Sequence, residues 1–190
     1  LLLPKIIKPF VKKYPDVELK IKEATTDQLI SDLESERIDA AILATNPINK
    51  DFTEYPLYTE ALKVYGFDDK YKQLITTKEI KDSTVGLLED GHCLKKHILS
   101  ACKISPKKRF AMESSSMSTL IQLVAGKMGK TLVPKLAINQ VVDTIPDLVK
   151  TKLDEPGPHR ELAVIIRPTY SGLKKVEELI SIFKKRLSKI

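Results

Sequence analysis

Hydrophobic positions along the chain alternate between two rhythms. Residues 2–13 place Leu3, Ile6, Ile7 and Phe10 three to four apart, which makes one face of a helix. Residues 17–21 alternate apolar and charged positions, as a half-buried strand does. Thr25, with Gln28 three residues on, reads as the capping box of a second helix. A buried-type strand follows at 39–44, and a strand pair is expected around 55–58 and 62–65. The second half keeps the rhythm, with strand 85–88, helix 92–103, strand 109–112, helix 116–125, strand 131–133 and strand 162–166. From residue 172 towards 190, Leu173, Val176, Leu179, Ile180, Phe183 and Leu187 form the apolar stripe of a last helix.

This alternation predicts an α/β protein with mostly parallel sheets and helices on both faces. Ligands of such sheets bind beyond the carboxyl ends of the strands. A βαβ fold rarely starts with a helix, so a strand is expected to precede residue 1. No internal repeat and no low-complexity linker is visible.

Composition narrows the class. The 190 residues suffice for one large domain or two small lobes, and 42% apolar with 30% charged residues is globular material. No stretch approaches the roughly 20 apolar residues of a membrane span, and no signal-peptide pattern appears, so no membrane partner and a cytoplasmic location are expected. The net charge of +7 suits a protein working near nucleic acid, and equally a lysine-rich proteome. No Arg/Lys run with interleaved aromatics is present, so this segment is not expected to read DNA itself.

The candidate chemistry lies in the two cysteines, Cys93 and Cys102. Gly91 breaks the chain just before the 92–103 helix, which sets Cys93 near a helix start. Backbone N–H groups and the dipole there favour an anion, and Lys95, Lys96 and His92 add positive charge nearby. Each of these lowers a thiol pKa, and the thiolate is the form that attacks peroxide. The resulting sulfenic acid condenses with a second thiol, for which Cys102 is the candidate within the chain. On one continuous helix the two Cα atoms stand about 13 Å apart along the axis, on opposite faces. A disulfide needs them within roughly 7 Å. Oxidation must therefore unwind the helix, which is a covalently driven two-state switch. Two other readings stay open. The cysteines are also compatible with small core residues, and Cys93 with His97, four apart on one helical face, with a metal site. The latter lacks a paired C-x-x-C or H-E-x-x-H signature, and no metal or other cofactor is expected.

The stretch Glu89-Asp-Gly-His-Cys93, eight residues and Cys102 resembles the redox loop of the peroxide-sensing branch of LysR-type transcription regulators. Further matches are less specific and indicate LysR type only. They are Leu2-Leu-Pro4 with Tyr14-Pro15, Glu23-Ala-Thr-Thr-Asp-Gln-Leu29, Ile38-Asp39 with Ala41-Ile42, Ser116-Met-Ser-Thr-Leu120, and Leu132-Val-Pro134.

The resemblance implies two Rossmann-like lobes joined by two crossover strands, as in periplasmic-binding-protein-like effector domains. Lobe I would hold residues 1–58 and 167–190, and lobe II residues 59–166 with both cysteines. A winged helix-turn-helix DNA-binding domain would precede them. Cys93 matches the peroxide-reacting cysteine and Cys102 the resolving one. Thr26 matches a threonine that positions peroxide, His92 sits beside the thiol, and Arg160 matches an arginine near it. The blander roles are a helix cap for Thr26, a solvated turn residue for His92, and an exposed ion pair of Arg160 with Glu161 or Glu155. Lys95 stands where the family often has arginine, keeping the charge without the planar fork. Lys130 puts a charge where the family has an apolar residue. The implied partners are a second copy of the chain, with a tetramer in the full-length protein, promoter DNA through the preceding domain, RNA polymerase, hydrogen peroxide and a cellular thiol reductant. The implied protein is a stoichiometric sensor of oxidative stress rather than an enzyme. Two competing functions share the fold class: an effector domain that binds a small metabolite, with the cysteines as passengers, and a peroxidase-like enzyme. A periplasmic binding protein shares the lobe architecture.

Overall fold

The computed structural model describes residues 3–45, 51–66, 74–105, 112–142, 145, 148–153 and 158–188. The chain divides into two compact units, Leu1–Thr59 with Glu161–Ile190, and Glu60–Arg160. Two strands, β2 (Thr53–Gly66) and β8 (His159–Ile166), run through the boundary and so belong in part to each unit. The second boundary falls at 160/161 rather than at the expected 166/167. Its cause is the antiparallel ladder of β8 with β1 (Ala40–Thr45), from Ala40↔Ile166 to Thr45↔Glu161, which ties Glu161 to Ile166 into the first unit.

The first unit contains helices α1 (Leu3–Lys13), α2 (Thr26–Glu34) and α7 (Leu173–Leu187). Val176, Ile180, Phe183 and Leu187 of the expected stripe are buried, as are Ile6 and Phe10 of α1, which packs on α7. A smaller core gathers Leu33, Ala41, Leu43 and Ile165. Residues 17–21 form no ladder among the described residues. Ile21 is 55% exposed, so their alternation marks a surface segment rather than a strand.

The expected capping box of α2 does not form either. Thr25 is the N-cap without a side-chain bond, and Gln28 turns instead to Asp32, donating from Nε2 at 2.9 Å. Asp32 is buried and also receives Lys22 and, at 2.8 Å, Arg37 Nε. The hydrogen bond from Lys22, helped by those of Gln28 and Arg37, outweighs burial and holds the Asp32 pKa down to about 2.

The second unit carries β3 (Leu74–Ile75), α3 (Thr77–Asp82), β4 (Leu87–Leu88), α4 (Cys93–Ala101), β5 (Glu113–Ser114), α5 (Met117–Ala125), β6 (Lys130–Pro134), α6 (Ile138–Val141) and β7 (Val149–Leu153). The expected strand pair around 55–58 and 62–65 is one strand, β2. No Gly, Asn or Asp at 59–61 reverses the chain, and the polar interruption there, Glu60, is buried with partners of its own. The sheets are mixed rather than mostly parallel, because β6 and β7 both run against β2, while β3–β7 and β4–β5 pair in parallel. The expected strand 109–112 has residues 109–111 outside the described residues, and pairing begins at Glu113. Lys130, expected as a misfit, is accommodated opposite Gly66. A Cβ at Gly66 would stand 2.8 Å from Lys130 Cγ, so glycine leaves the room in which the lysine stem lies.

Asp32 gives a pH signature. Its folded pKa lies below the unfolded value near 4, so its contribution is present above about pH 4 and is lost as pH falls towards 2. Asp32→Asn is expected to lower the urea midpoint at pH 7, with the gap from the parent chain closing between about pH 4 and pH 2. A gap that stays constant over that range would show that the carboxylate's charge plays no part.

Candidate redox site

The site is built on α4 and the turn before it. Strand β4 ends at Leu88, and Gly91 then adopts φ 93°, a left-handed conformation open to glycine. His92 is the N-cap of α4, with no side-chain bond to the helix end, and Cys93 is the first helical residue. The thiol thus follows the carboxyl end of a strand in the parallel β4–β5 pair and sits at a helix N-terminus free of acidic residues in its first turn. Cys93 and His92 are half-buried.

Cys102 is the C-cap at the other end of the same helix, 2% exposed, in the core that includes Leu94, Ile98, Leu99 and Ile104. Neither cysteine is in a disulfide. Its N–H still bonds the Ile98 carbonyl at 3.0 Å, so the helical spacing holds across the whole segment. The Cα atoms are then about 13 Å apart along the axis, roughly twice what a disulfide spans.

The helix stop is unusual. Ile104 N–H bonds the Leu99 carbonyl at 2.9 Å and Lys103 N–H the Ser100 carbonyl at 3.1 Å, a Schellman ending with Lys103 in the left-handed position at φ 51°. Glu36 after α2 and Lys127 after α5 occupy the same position, at φ 60° and 65°. None of the three is glycine, the residue that adopts this conformation without strain.

Lys95 is expected to add positive charge near the thiol; its side chain is only 11% exposed, and its ammonium lies 2.7 Å from Glu113 and 2.9 Å from Asp90. Burial draws its pKa down, yet the bonds and charges of Glu113 and Asp90 outweigh this and hold it above the usual lysine value. Lys95 therefore clamps the first turn of α4 to β5 and to the preceding turn. Its charge is largely answered by the two carboxylates.

Arg160 is not in an exposed ion pair with Glu161 among the described residues, which do not include Glu155. Its Nε donates to Glu60 at 2.8 Å, and Glu60, fully buried, also accepts the Leu136 N–H at 2.6 Å. Thr26 opens α2 of the first unit as its first helical residue, half-buried, and Thr25 rather than Thr26 is the cap. The described structure thus brings Cys93, His92 and Lys95 together on one helix end, with Cys102 at the other end. His97, considered above only as a metal ligand, donates from Nδ1 to the Cys93 carbonyl at 2.7 Å. Among the described residues no three His, Cys, Asp or Glu side chains gather as a metal cage would require, and no helix is long and apolar enough to cross a membrane.

Sequence reasoning missed Glu60, Asp90 and Glu113. Nothing in their spacing marks them, since each meets its partner through strand or turn placement. The one clue for Glu60 was an acid in the middle of a strand, a position that asks for a partner if it is buried.

Comparison with known proteins agrees with this architecture. The LysR substrate binding domain family matches residues 1–188. A hydrogen peroxide-inducible genes activator of Dickeya chrysanthemi is 32% identical over 172 residues, covering 88% of this chain and 56% of that protein. The HTH-type transcriptional regulator EstR of Acinetobacter baylyi is 29% identical over 197 residues, covering 97% and 62%. The chain thus spans less than two thirds of these relatives. Among solved structures, a cysteine-to-serine mutant of OxyR from Corynebacterium glutamicum with hydrogen peroxide bound superposes with a TM-score of 0.89 at 28% identity, covering 99% of this chain and 61% of that one.

The strained helix stop is testable. Lys103→Gly should stabilise the reduced protein by about 0.5–1 kcal/mol, because glycine removes the left-handed penalty at some cost in unfolded-state entropy. A lower urea midpoint for the reduced variant would show that Lys103 is held there by contacts worth more than the strain.

Proposed function

The chain belongs to the LysR substrate binding domain family, and from that premise we propose that it is the hydrogen-peroxide-sensing regulatory domain of a transcription regulator, switched by a reversible Cys93–Cys102 disulfide. The observation that carries this reading is the placement of two thiols at opposite ends of one short helix. One is half-buried at the N-terminus and the other is sealed in the core. A pair placed to form a structural disulfide would stand within bonding distance, and these do so only after α4 unwinds.

The steps balance. The Cys93 thiolate attacks one peroxide oxygen, the O–O bond breaks, and the leaving hydroxide takes a proton to become water. The sulfenic acid on Cys93 then accepts the Cys102 sulfur, releasing a second water. Two thiols lose two electrons and one peroxide gains them. Before the second step Cys102 must leave the core, so chemistry and unfolding of α4 are coupled. Closing a loop this short contributes about 2–3 kcal/mol by the chain-entropy model, and unpacking the helix costs a comparable amount. The bond is therefore one that a cellular thiol reductant reopens. In this reading His92 stands beside the reacting thiol, and Arg160 keeps its place through Glu60. The change passes through a homodimer, or a tetramer, to DNA-binding heads on promoter DNA and to RNA polymerase. Each chain responds once per oxidation, as a sensor and not as a turnover enzyme. The similarity to EstR favours a second reading, in which a small metabolite is the signal and the cysteines are passengers.

Stoichiometric hydrogen peroxide followed by thiol mapping separates the two. The expected result is an intramolecular Cys93–Cys102 disulfide within seconds, reversed by dithiothreitol and abolished in Cys93→Ser. Cys102→Ser should instead accumulate a sulfenic acid on Cys93 that a dimedone probe captures. Survival of both thiols in excess peroxide would sink the sensor reading and leave the metabolite one.

A further inference from the structure

Helix α4 holds one group that the proposed switch does not use. His97 is 8% exposed and lies one turn after Cys93 on the same helical face. Its Nδ1–H bond to the Cys93 carbonyl, at 2.7 Å, fixes the proton on Nδ1, because a carbonyl only accepts. Nε2 of the neutral ring is then an acceptor. It is shut away from solvent and meets no donor among the described residues. A buried acceptor in that position has lost its hydration and gained nothing in return. Such atoms are scarce in folded proteins, and each asks for a reason.

The cost belongs to one state. His97 is buried because α4 is helical and turns this face inward, with Leu94 and Ile98 in the core. A disulfide between Cys93 and Cys102 requires that helix to unwind, and the ring can then find water or a donor. The Nδ1 bond works the other way and steadies the first turn. It goes to a carbonyl that helical geometry already supplies with a backbone donor, so it adds less than the orphaned nitrogen costs.

We infer that His97 is a positioning residue of the switch: by burying an unsatisfied nitrogen only while α4 is helical, it biases the equilibrium towards the Cys93–Cys102 disulfide. The inference rests on the disulfide reading above. It assigns to this side chain the task of keeping the reduced helix no more stable than a reversible signal allows.

The test is exchange with glutathione. Glutathione disulfide accepts two electrons, its S–S bond breaks, the protein S–S bond forms, and the two thiol protons end on two glutathione molecules. The parent chain, His97→Leu and His97→Met are equilibrated in glutathione buffers and counted by mass spectrometry. Urea midpoints are measured for each reduced and oxidised form. Both variants are expected to lower the disulfide equilibrium constant about tenfold, a shift within the range of one unsatisfied buried polar atom. The reduced chain should gain stability while the oxidised chain stays near the parent. Equal stability changes in the two redox forms, with an unchanged exchange equilibrium, would make His97 merely structural and overturn this inference alone. Failure of the parent chain to form the disulfide at any glutathione ratio would overturn both this inference and the switch reading.

Discussion

A helix and a disulfide compete for the same ten residues. With Cys93 as the first residue of α4 and Cys102 as its cap, every backbone hydrogen bond that keeps the segment helical also keeps the two sulfurs apart. The helical rise alone exceeds the reach of a disulfide by about a factor of two. Side-chain rotation cannot bridge that gap, so bond formation and helix formation exclude each other. The interactions around this helix either hold it or limit how firmly it is held.

The holding interactions are of ordinary kinds. Leu94, Ile98 and Leu99 face the core, and Cys102 closes it from the C-terminal end. Lys95 ties the first turn to Glu113 of β5 and Asp90 of the turn. The limits are less ordinary. The N-cap His92 offers no side-chain bond, Lys103 ends the helix in a left-handed conformation, and His97 buries a nitrogen that meets no donor among the described residues. Each of these costs on the order of 1 kcal/mol. A nine-residue helix is marginal on its own, so such costs decide how nearly balanced its two states are.

Buried charge is handled by one pattern throughout. Glu60, Asp32 and Lys95 are all buried and all paired, Glu60 with Arg160 and a backbone N–H, Asp32 with Lys22, Arg37 and Gln28, and Lys95 with two carboxylates. Glu60 with Arg160 and Lys95 with Glu113 join elements that lie apart in sequence, whereas Asp32 gathers partners from residues 22, 28 and 37 close by. They fix the loops and strand ends that the apolar cores leave loose, because a buried charge is tolerated only where its partner stands.

Local pattern determined much of this protein. The 3.6-residue period of α7, the apolar runs of β1 and β8, the Ser116 cap of α5 and the helix start at Cys93 are short-range features, and sequence carries them because they depend on neighbours within one turn or one strand. The incompatibility of helix and disulfide was legible for the same reason, since it follows from spacing alone. Tertiary structure decided the rest. It ran the two expected strands at 55–58 and 62–65 together into β2, left 17–21 without a ladder among the described residues, turned most strand pairs antiparallel, and gave Lys95 and Arg160 acidic partners. Strand pairing and buried ion pairs link residues tens of positions apart. Which residues meet is set by how the chain packs, and a one-dimensional pattern does not record it.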